Sequence, residues 1–135
     1  MDATEVAAGY FSAWNARDPD AVAAVFAEDG VYDVDVGRME GRDAITAMLE
    51  GERHQAMVGH CAHQIGPAVV RFDERDRASA LGYSRVYLET RAGTHVYRVS
   101  LNRWELVKQH GEWLIARRTT RKLGSADALD VLRVP

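Results

Sequence analysis

The sequence lacks several features that would place a protein in a secreted or membrane class. Cys61 is its single cysteine among 135 residues, so no disulfide can form within the chain and nothing points to an oxidising compartment. No apolar run approaches the roughly 20 residues of a membrane-spanning helix, and the N-terminus has no basic segment followed by an apolar run. These absences predict a cytoplasmic protein without a membrane partner.

The chain also has little excess charge of either sign. Its formal net charge is −3, which gives no general attraction to phosphate backbones, so no nucleic-acid partner is expected. A basic run near the C-terminus alternates with small and hydroxylated residues, which is typical of the solvated face of a strand. The run comprises Arg117, Arg118, Arg121 and Lys122.

The length and the apolar content indicate one globular domain. Of the 135 residues, 47% are hydrophobic, which suffices for a buried core. Neither an internal repeat nor a Pro/Ser-rich linker interrupts the chain. We therefore treat residues 1–135 as a single domain.

Helix signals are concentrated in the first third of the chain. Apolar side chains recur every four residues over 3–16, which predicts a first helix. Asp18 and Pro19 form a cap and first turn for a second helix, which Gly30 is expected to end. A third helix is predicted over 42–51.

The rest of the chain has the period of two that is typical of strands. Residues 31–36 place Tyr32 and Val34 on one face and Asp33 and Asp35 on the other. Four longer strands are predicted over 63–72, 78–90, 95–107 and 113–122, joined by hairpin turns. They predict an antiparallel meander with strand 31–36 at one edge, helices laid across it, and a tail over 125–135 that packs on the body or on a partner.

This order of elements resembles the NTF2-like superfamily, in its SnoaL-like, ketosteroid-isomerase-like and scytalone-dehydratase-like branch. The motifs that carry the resemblance are Tyr10-Phe11-Ser12-Ala13-Trp14-Asn15-Ala16-Arg17-Asp18 and Cys61-Ala62-His63-Gln64-Ile65-Gly66. The resemblance implies an α+β cone in which three N-terminal helices pack on a curved antiparallel sheet. It does not fix the activity, because the superfamily includes isomerases, dehydratases, cyclases, epoxide hydrolases and proteins without any catalysis.

The same resemblance suggests catalytic residues. Tyr10 matches the tyrosine that donates a hydrogen bond to the developing enolate oxygen in ketosteroid isomerases. His63 matches the dehydratase histidine that faces the cavity, and it can both take and return a proton near neutrality. The isomerase carboxylate position is Val34, flanked by Asp33 and Asp35. A regular strand points both carboxylates away from the cavity, whereas a β-bulge would bring one inward, as a second base or as the group that orients His63.

Other matches fail or concern substrate binding. The tyrosine–aspartate pair of the dehydratases corresponds to Trp14 and Asn15 here. By its spacing from Trp104, the set that contains His95 and Tyr97 resembles the cavity-lining set of the dehydratases, which would place Trp104 on the outer face. Cross-strand packing is the alternative for His95 and Tyr97. The predicted substrate-binding set is Trp14, Tyr32, Val34, Ser84, Val86, Leu88, His95 and Tyr97.

These residues favour a cofactor-independent enzyme without a metal site. The expected chemistry is proton transfer, namely isomerisation, dehydration or cyclisation, on a hydrophobic cyclic polyketide-, steroid- or terpenoid-like molecule. The alternatives are a non-catalytic ligand-binding or dimerisation module and an epoxide hydrolase of the limonene type, which needs an Asp-Arg-Asp arrangement. A homodimer is expected through the outer face of the sheet, near Trp104 and Val96.

Overall fold

The computed structural model of the protein describes residues 19–51, 56 and 59–133. Its helices are α1 Pro19–Ala24 and α2 Arg42–Glu50, with a short 3-10 helix, Ala128–Leu132, in the C-terminal tail. Its strands are β1 Phe26–Val34, β2 Gly37–Glu40, β3 Cys61–Glu74, β4 Arg77–Thr90, β5 Gly93–Gln109 and β6 Glu112–Lys122. The helix predicted over 3–16 lies outside the described residues. In the described part of the chain, no helix is long and apolar enough to cross a membrane.

The six strands form one curved mixed sheet in the order β2-β1-β6-β5-β4-β3. The predicted meander is confirmed, because β3 to β6 pair antiparallel in sequence order. The prediction of a wholly antiparallel sheet is wrong at one place, where β1 runs parallel to β6. The direction of β6 follows from the direction in which β3 enters the sheet. Strand periodicity does not encode that direction.

The second predicted helix is shorter than its apolar pattern suggested, and β1 begins earlier. Phe26 is fully buried and pairs with Ile115 of β6, so sheet packing overrides the helical spacing there. Gly30 lies inside β1, where an added Cβ would stand 2.8 Å from the carbonyl oxygen of Ala27. Asp35 and Val36 form the turn between β1 and β2, so the strand predicted over 31–36 ends at Val34.

One face of the sheet, called here the helix-covered face, packs against α1 and α2. Val22 and Ala23 of α1, with Ile45 and Leu49 of α2, are buried against this face. The sheet contributes the buried side chains Phe26, Tyr32, Ala78, Ala80, Trp104, Leu106, Trp113 and Ile115. Because Trp104 is only 5% exposed in this cluster, its predicted place on the outer face is wrong. Alternation determines which residues share a face, but helix packing decides which face is covered.

The opposite face, called here the outer face, carries a smaller apolar cluster under the C-terminal tail. Ala128 and Val131 of the 3-10 helix are buried against Leu101 of β5, with Leu132 packed beside them. The prediction that the tail packs on the body is therefore confirmed. A hydrogen bond of 2.8 Å from Arg121 Nε to Asp127 Oδ2 also ties the tail to β6.

Replacing Asp127 by asparagine (D127N) will loosen this tail at neutral pH. The charge-assisted hydrogen bond from Arg121 weakens when the carboxylate becomes a neutral amide. Limited proteolysis will then cleave residues 125–133 faster than in the wild type. D130N is the matched control, because Asp130 pairs with Arg133 inside the tail itself. Equal cleavage of D127N and wild type would contradict this role.

The same contact gives the tail a pH dependence of definite sign. The hydrogen bond from Arg121 lowers the pKa of Asp127 from its ordinary value. A carboxyl group with a lowered folded-state pKa stabilises the fold above its unfolded pKa, and this contribution is lost as the pH falls through the folded pKa. Proteolysis of the wild-type tail will therefore accelerate in acid, whereas cleavage of D127N will lack this step.

Candidate functional site

A connected set of polar side chains crosses the middle of the helix-covered face. Arg118 of β6 donates from Nε at 3.0 Å and from Nη2 at 2.8 Å to Oδ1 of Asn102 on β5. Asn102 in turn donates from Nδ2 to Oγ of Ser84 on β4, at 2.9 Å. We call these three residues the Arg118–Asn102–Ser84 relay. Asn102 is fully buried and Arg118 only 5% exposed, so the relay is fixed inside the protein.

Two aromatic rings hold the cation of this relay. The Arg118 guanidinium carbon lies 5.1 Å from the ring centroid of Tyr32 and 5.5 Å from that of Trp104. The strand register explains the contact, because Arg118 pairs with both Tyr32 and Trp104 across neighbouring strands. Aromatic faces attract a guanidinium, and they fix its orientation when it is desolvated. The relay therefore directs a fixed positive charge toward Asn102 and Ser84.

His63 lies on the same face, one row along the strands from Ser84. Its direct partner on β4 is Val86, and Ser84 pairs with Ile65, two residues after His63. Diagonal neighbours of this kind have Cα atoms about 7–8 Å apart. The His63 and Ser84 side chains therefore lie near each other on one face of the sheet. His63 is half-buried at this position.

Arginine side chains form ion pairs with both predicted carboxylates, Asp33 and Asp35. Asp33 accepts hydrogen bonds from Arg117 Nη2 and, at 2.8 Å, from Arg121 Nη2. Alternation is regular through this part of β1, so Asp33 lies on the outer face, opposite Tyr32. Asp35 lies in the turn after β1. It accepts from Arg98 Nη2 and, at 3.0 Å, from the Lys122 amide. The alternative of an inward bulge at Asp33 is not adopted.

A bulge in β5 changes the positions of two further predicted residues, His95 and Tyr97, relative to the rest of the strand. Val86 pairs with Arg98 and Tyr87 pairs with Val96, so Tyr97 is the extra residue. His95 consequently falls on the face of Arg98 rather than that of Leu101, and its Nε2 lies 2.9 Å from Thr90 Oγ1 near the hairpin end. His95 and Tyr97 are both exposed. Their substrate contact stays a prediction.

Ser84, Val86 and Leu88 share the helix-covered face, as the register with β5 shows. Tyr32 lies in the core of that face, and Val34 packs against the same core. Tyr10 and Trp14 lie outside the described residues. Within residues 19–51, 56 and 59–133, no three His, Cys, Asp or Glu side chains come together in a way that could hold a metal ion.

Comparison with known families establishes the relationship of the chain. A family model described as a SnoaL-like domain matches residues 2–119. The chain belongs to the SnoaL-like family. An NTF2-like protein with a cystatin-like fold from Novosphingobium aromaticivorans is 34% identical to this SnoaL-like protein, with a TM-score of 0.90. That alignment covers 96% of this chain and 86% of the other.

Two more distant structures share the fold of this SnoaL-like protein. A protein of unknown function from Mycobacterium tuberculosis is 26% identical, with a TM-score of 0.79 over 96% of this chain and 81% of that one. A protein from Catenulispora acidiphila, solved in complex with S-DNPA, is 24% identical, with a TM-score of 0.76 over 88% and 89% of the two chains. The second likeness concerns the fold alone. A search of curated proteins finds no match to the sequence.

Sequence reasoning about this SnoaL-like protein included Ser84 but missed the other two relay residues, Arg118 and Asn102. The basic run was predicted to be a solvated strand face, yet Arg118 is buried against two aromatic rings. Its neighbours Arg117 and Arg121 do lie on the outer face, where both pair with Asp33. Strand alternation places Asn102 on the same face as Trp104 and Ser100, because Arg103 lies between the first two. Since Trp104 was predicted to lie on the outer face, the buried position of Asn102 was not recognised.

Proposed function

We propose that this SnoaL-like protein is a cofactor-independent enzyme that transfers protons on a hydrophobic cyclic small molecule, by isomerisation, dehydration or cyclisation. The observation that carries the proposal is the Arg118–Asn102–Ser84 relay, which ends diagonally beside His63 on the helix-covered face. His63 acts as the general acid and base. The Ser84 hydroxyl, already accepting from Asn102, donates its own proton to the substrate oxygen.

The relay supports this role through electrostatics. The Arg118 charge polarises the Asn102 amide, and that amide strengthens Ser84 as a donor, because hydrogen bonds in a chain reinforce one another at low dielectric. Removing a proton next to a carbonyl develops negative charge on the carbonyl oxygen. Donors that are fixed before the reaction stabilise that charge without reorganisation. Arg118 and Asn102 are positioning residues in this scheme.

The surroundings favour an apolar substrate. Val86 flanks His63 on the same face, and Leu88 continues that wall toward the hairpin end. A mostly apolar wall with a few fixed polar groups suits a cyclic enone or hydroxy-ketone better than a sugar or a nucleotide. Tyr10 remains the proposed second donor, and Asp35 the nearest proposed carboxylate on the turn after β1.

Proton transfer can be tested before the natural substrate is identified. A panel of cyclic enones and hydroxy-ketones is incubated with the protein in D₂O, and ¹H NMR follows the loss of signal at carbon atoms next to the carbonyl. Exchange of at least one panel member, absent without protein, is expected. Ligands that bind and are recovered unchanged, without exchange, would favour the non-catalytic binding module instead.

The hydrolase alternative needs an Asp-Arg-Asp arrangement, and the one in this structure does not lie on the face proposed to bind an apolar substrate. Arg121 pairs with Asp33 at 2.8 Å and with Asp127 at 2.8 Å, which is an Asp-Arg-Asp arrangement. It lies on the outer face beside the exposed tail, not beside His63. Incubation of an epoxide in ¹⁸O-labelled water distinguishes the two, because a hydrolase must place solvent oxygen in the diol.

We also propose a homodimer, formed through the β3–β4–β5 half of the outer face. Val69, Tyr83 and Val96 are exposed large hydrophobic side chains on this half.

Sedimentation equilibrium will give twice the 15.0 kDa of one chain. The V96K variant will be more monomeric than the wild type, because the substitution places a charge in the apolar contact. V36K is the matched control, since Val36 is exposed in the β1–β2 turn. A monomeric wild type would exclude this dimer.

A further inference from the structure

A pocket lies on the outer face, on the side of the sheet opposite His63. It has a volume of about 230 Å³ and lies between strands β5 and β6 and the C-terminal tail. The sheet lines it with Arg103, Glu105, Arg117, Thr119 and Arg121, and the tail lines it with Asp127, Asp130 and Val131. Three guanidinium groups therefore surround one small cavity.

Arg103 differs from the other two cations in its hydrogen bonding. Arg121 donates to Asp33 and Asp127, and Arg117 donates to Asp33 and Thr119. By contrast, the Nη2 atom of Arg103 is buried and finds no hydrogen-bond acceptor among the described residues. A buried donor on a charged group is costly when it has no acceptor. Because Arg103 also lines the pocket, an oxygen atom from outside the chain would complete the hydrogen bonding of its guanidinium once the side chain turns toward the pocket.

The charges around Arg103 limit what that oxygen can belong to. Asp33 and Asp127 pair with Arg117 and Arg121, and Asp130 of the pocket lining pairs with Arg133, so Arg103 is the lining cation without an ion pair among the described residues. Glu105, which lies 4.0 Å from Arg117, adds a negative charge at the rim and disfavours a dianion such as phosphate. Val131 supplies an apolar wall from the tail. A monovalent organic carboxylate fits both the charge and the wall.

We propose that this outer pocket is a binding site for a small organic carboxylate, anchored by Arg103. A guanidinium matches a carboxylate geometrically, because its planar N–H donors can bind both oxygens. The ligand also contacts the tail, so its binding ties residues 125–133 to the sheet. The site is separate from the proposed proton-transfer site and does not depend on His63.

Benzoate and benzamide are a matched pair of probes, since they differ in charge at similar shape. Benzoate will raise the melting temperature of the wild type by mass action, and benzamide will not. R103Q will weaken benzoate binding by at least about tenfold, because a charge-assisted hydrogen bond is lost. R71Q is the control, since Arg71 is exposed on the same face. H63Q will bind benzoate as the wild type does, which separates this site from the enzyme proposal.

NMR of the ¹⁵N-labelled wild type keeps the test valid even if R103Q fails to fold. Benzoate will shift the Arg103 Nε–Hε signal and the backbone amides of Thr119 and Val131. Each of four results overturns the proposal: no effect of benzoate, an equal effect in folded R103Q, an equal effect of benzamide, or a larger effect of inorganic phosphate than of benzoate.

Discussion

Replacing His63 by glutamine (H63Q) will reduce turnover by about 10²- to 10⁴-fold, which is the usual contribution of a general acid–base group. Glutamine keeps a polar side chain of similar reach but cannot exchange a proton near neutral pH. The half-buried position of His63 on β3 accepts it without a cavity, so the melting temperature will stay close to that of the wild type. The measurement is the deuterium-exchange rate of whichever panel compound the wild type converts.

His60 provides the matched control for this substitution. It is exposed and lies in the turn immediately before β3. H60Q will therefore exchange at the wild-type rate. S84A, which removes the donor at the end of the relay, will also be slow, with a loss of about 10²-fold. If H63Q turns over normally, His63 is not the base and the acid–base mechanism is withdrawn.

Replacing Asn102 by leucine (N102L) will cause the largest loss of stability, about 3 kcal/mol. Leucine fills a similar volume but accepts no hydrogen bond, so Nε and Nη2 of the buried Arg118 both lose their Asn102 partner. The cost falls mainly on Arg118, because the loss of a hydrogen bond from a buried cation is penalised more than the loss of one from a neutral group. The melting temperature will fall by about 10 °C for a domain of this size.

S84A is the control for the structural effect. It removes one acceptor of Asn102, whose Nδ2 also lies 3.4 Å from the Ser100 carbonyl oxygen. Its loss of stability will be about 1 kcal/mol. S84A thus separates the two roles of the relay, since it is expected to be slow but well folded. A melting temperature of N102L equal to that of the wild type would contradict the structural role of Asn102.

Most of the fold could be predicted because strand periodicity and turn residues are local signals. The strand predicted over 78–90 corresponds to β4, Arg77–Thr90, and the helix predicted over 42–51 to α2, Arg42–Glu50. The errors occur where tertiary contacts decide. Phe26 has helical spacing with Val22 but is taken into β1 by its pairing with Ile115.

The site could be predicted only in part, because side-chain alternation determines which residues share a face of the sheet but not what covers that face. The prediction placed Trp104 on the outer face, whereas Trp104 and Asn102 both lie on the helix-covered face. The bulge at Tyr97 places the His95 side chain on the other face of the sheet from the one that regular alternation predicts. No residue type in that strand indicates the bulge. Asp33 illustrates the opposite case, since regular alternation correctly placed its side chain opposite Tyr32.

The parallel pairing of β1 with β6 has a consequence for how the chain reaches its native state. The partners of Val31 and Asp33 are Arg117 and Thr119, close to the other end of the chain. Contacts of such high sequence separation slow folding, because the entropy of closing the intervening loop is lost before the contact stabilises the chain. During synthesis, β1 can pair only with β2 until β6 has left the ribosome.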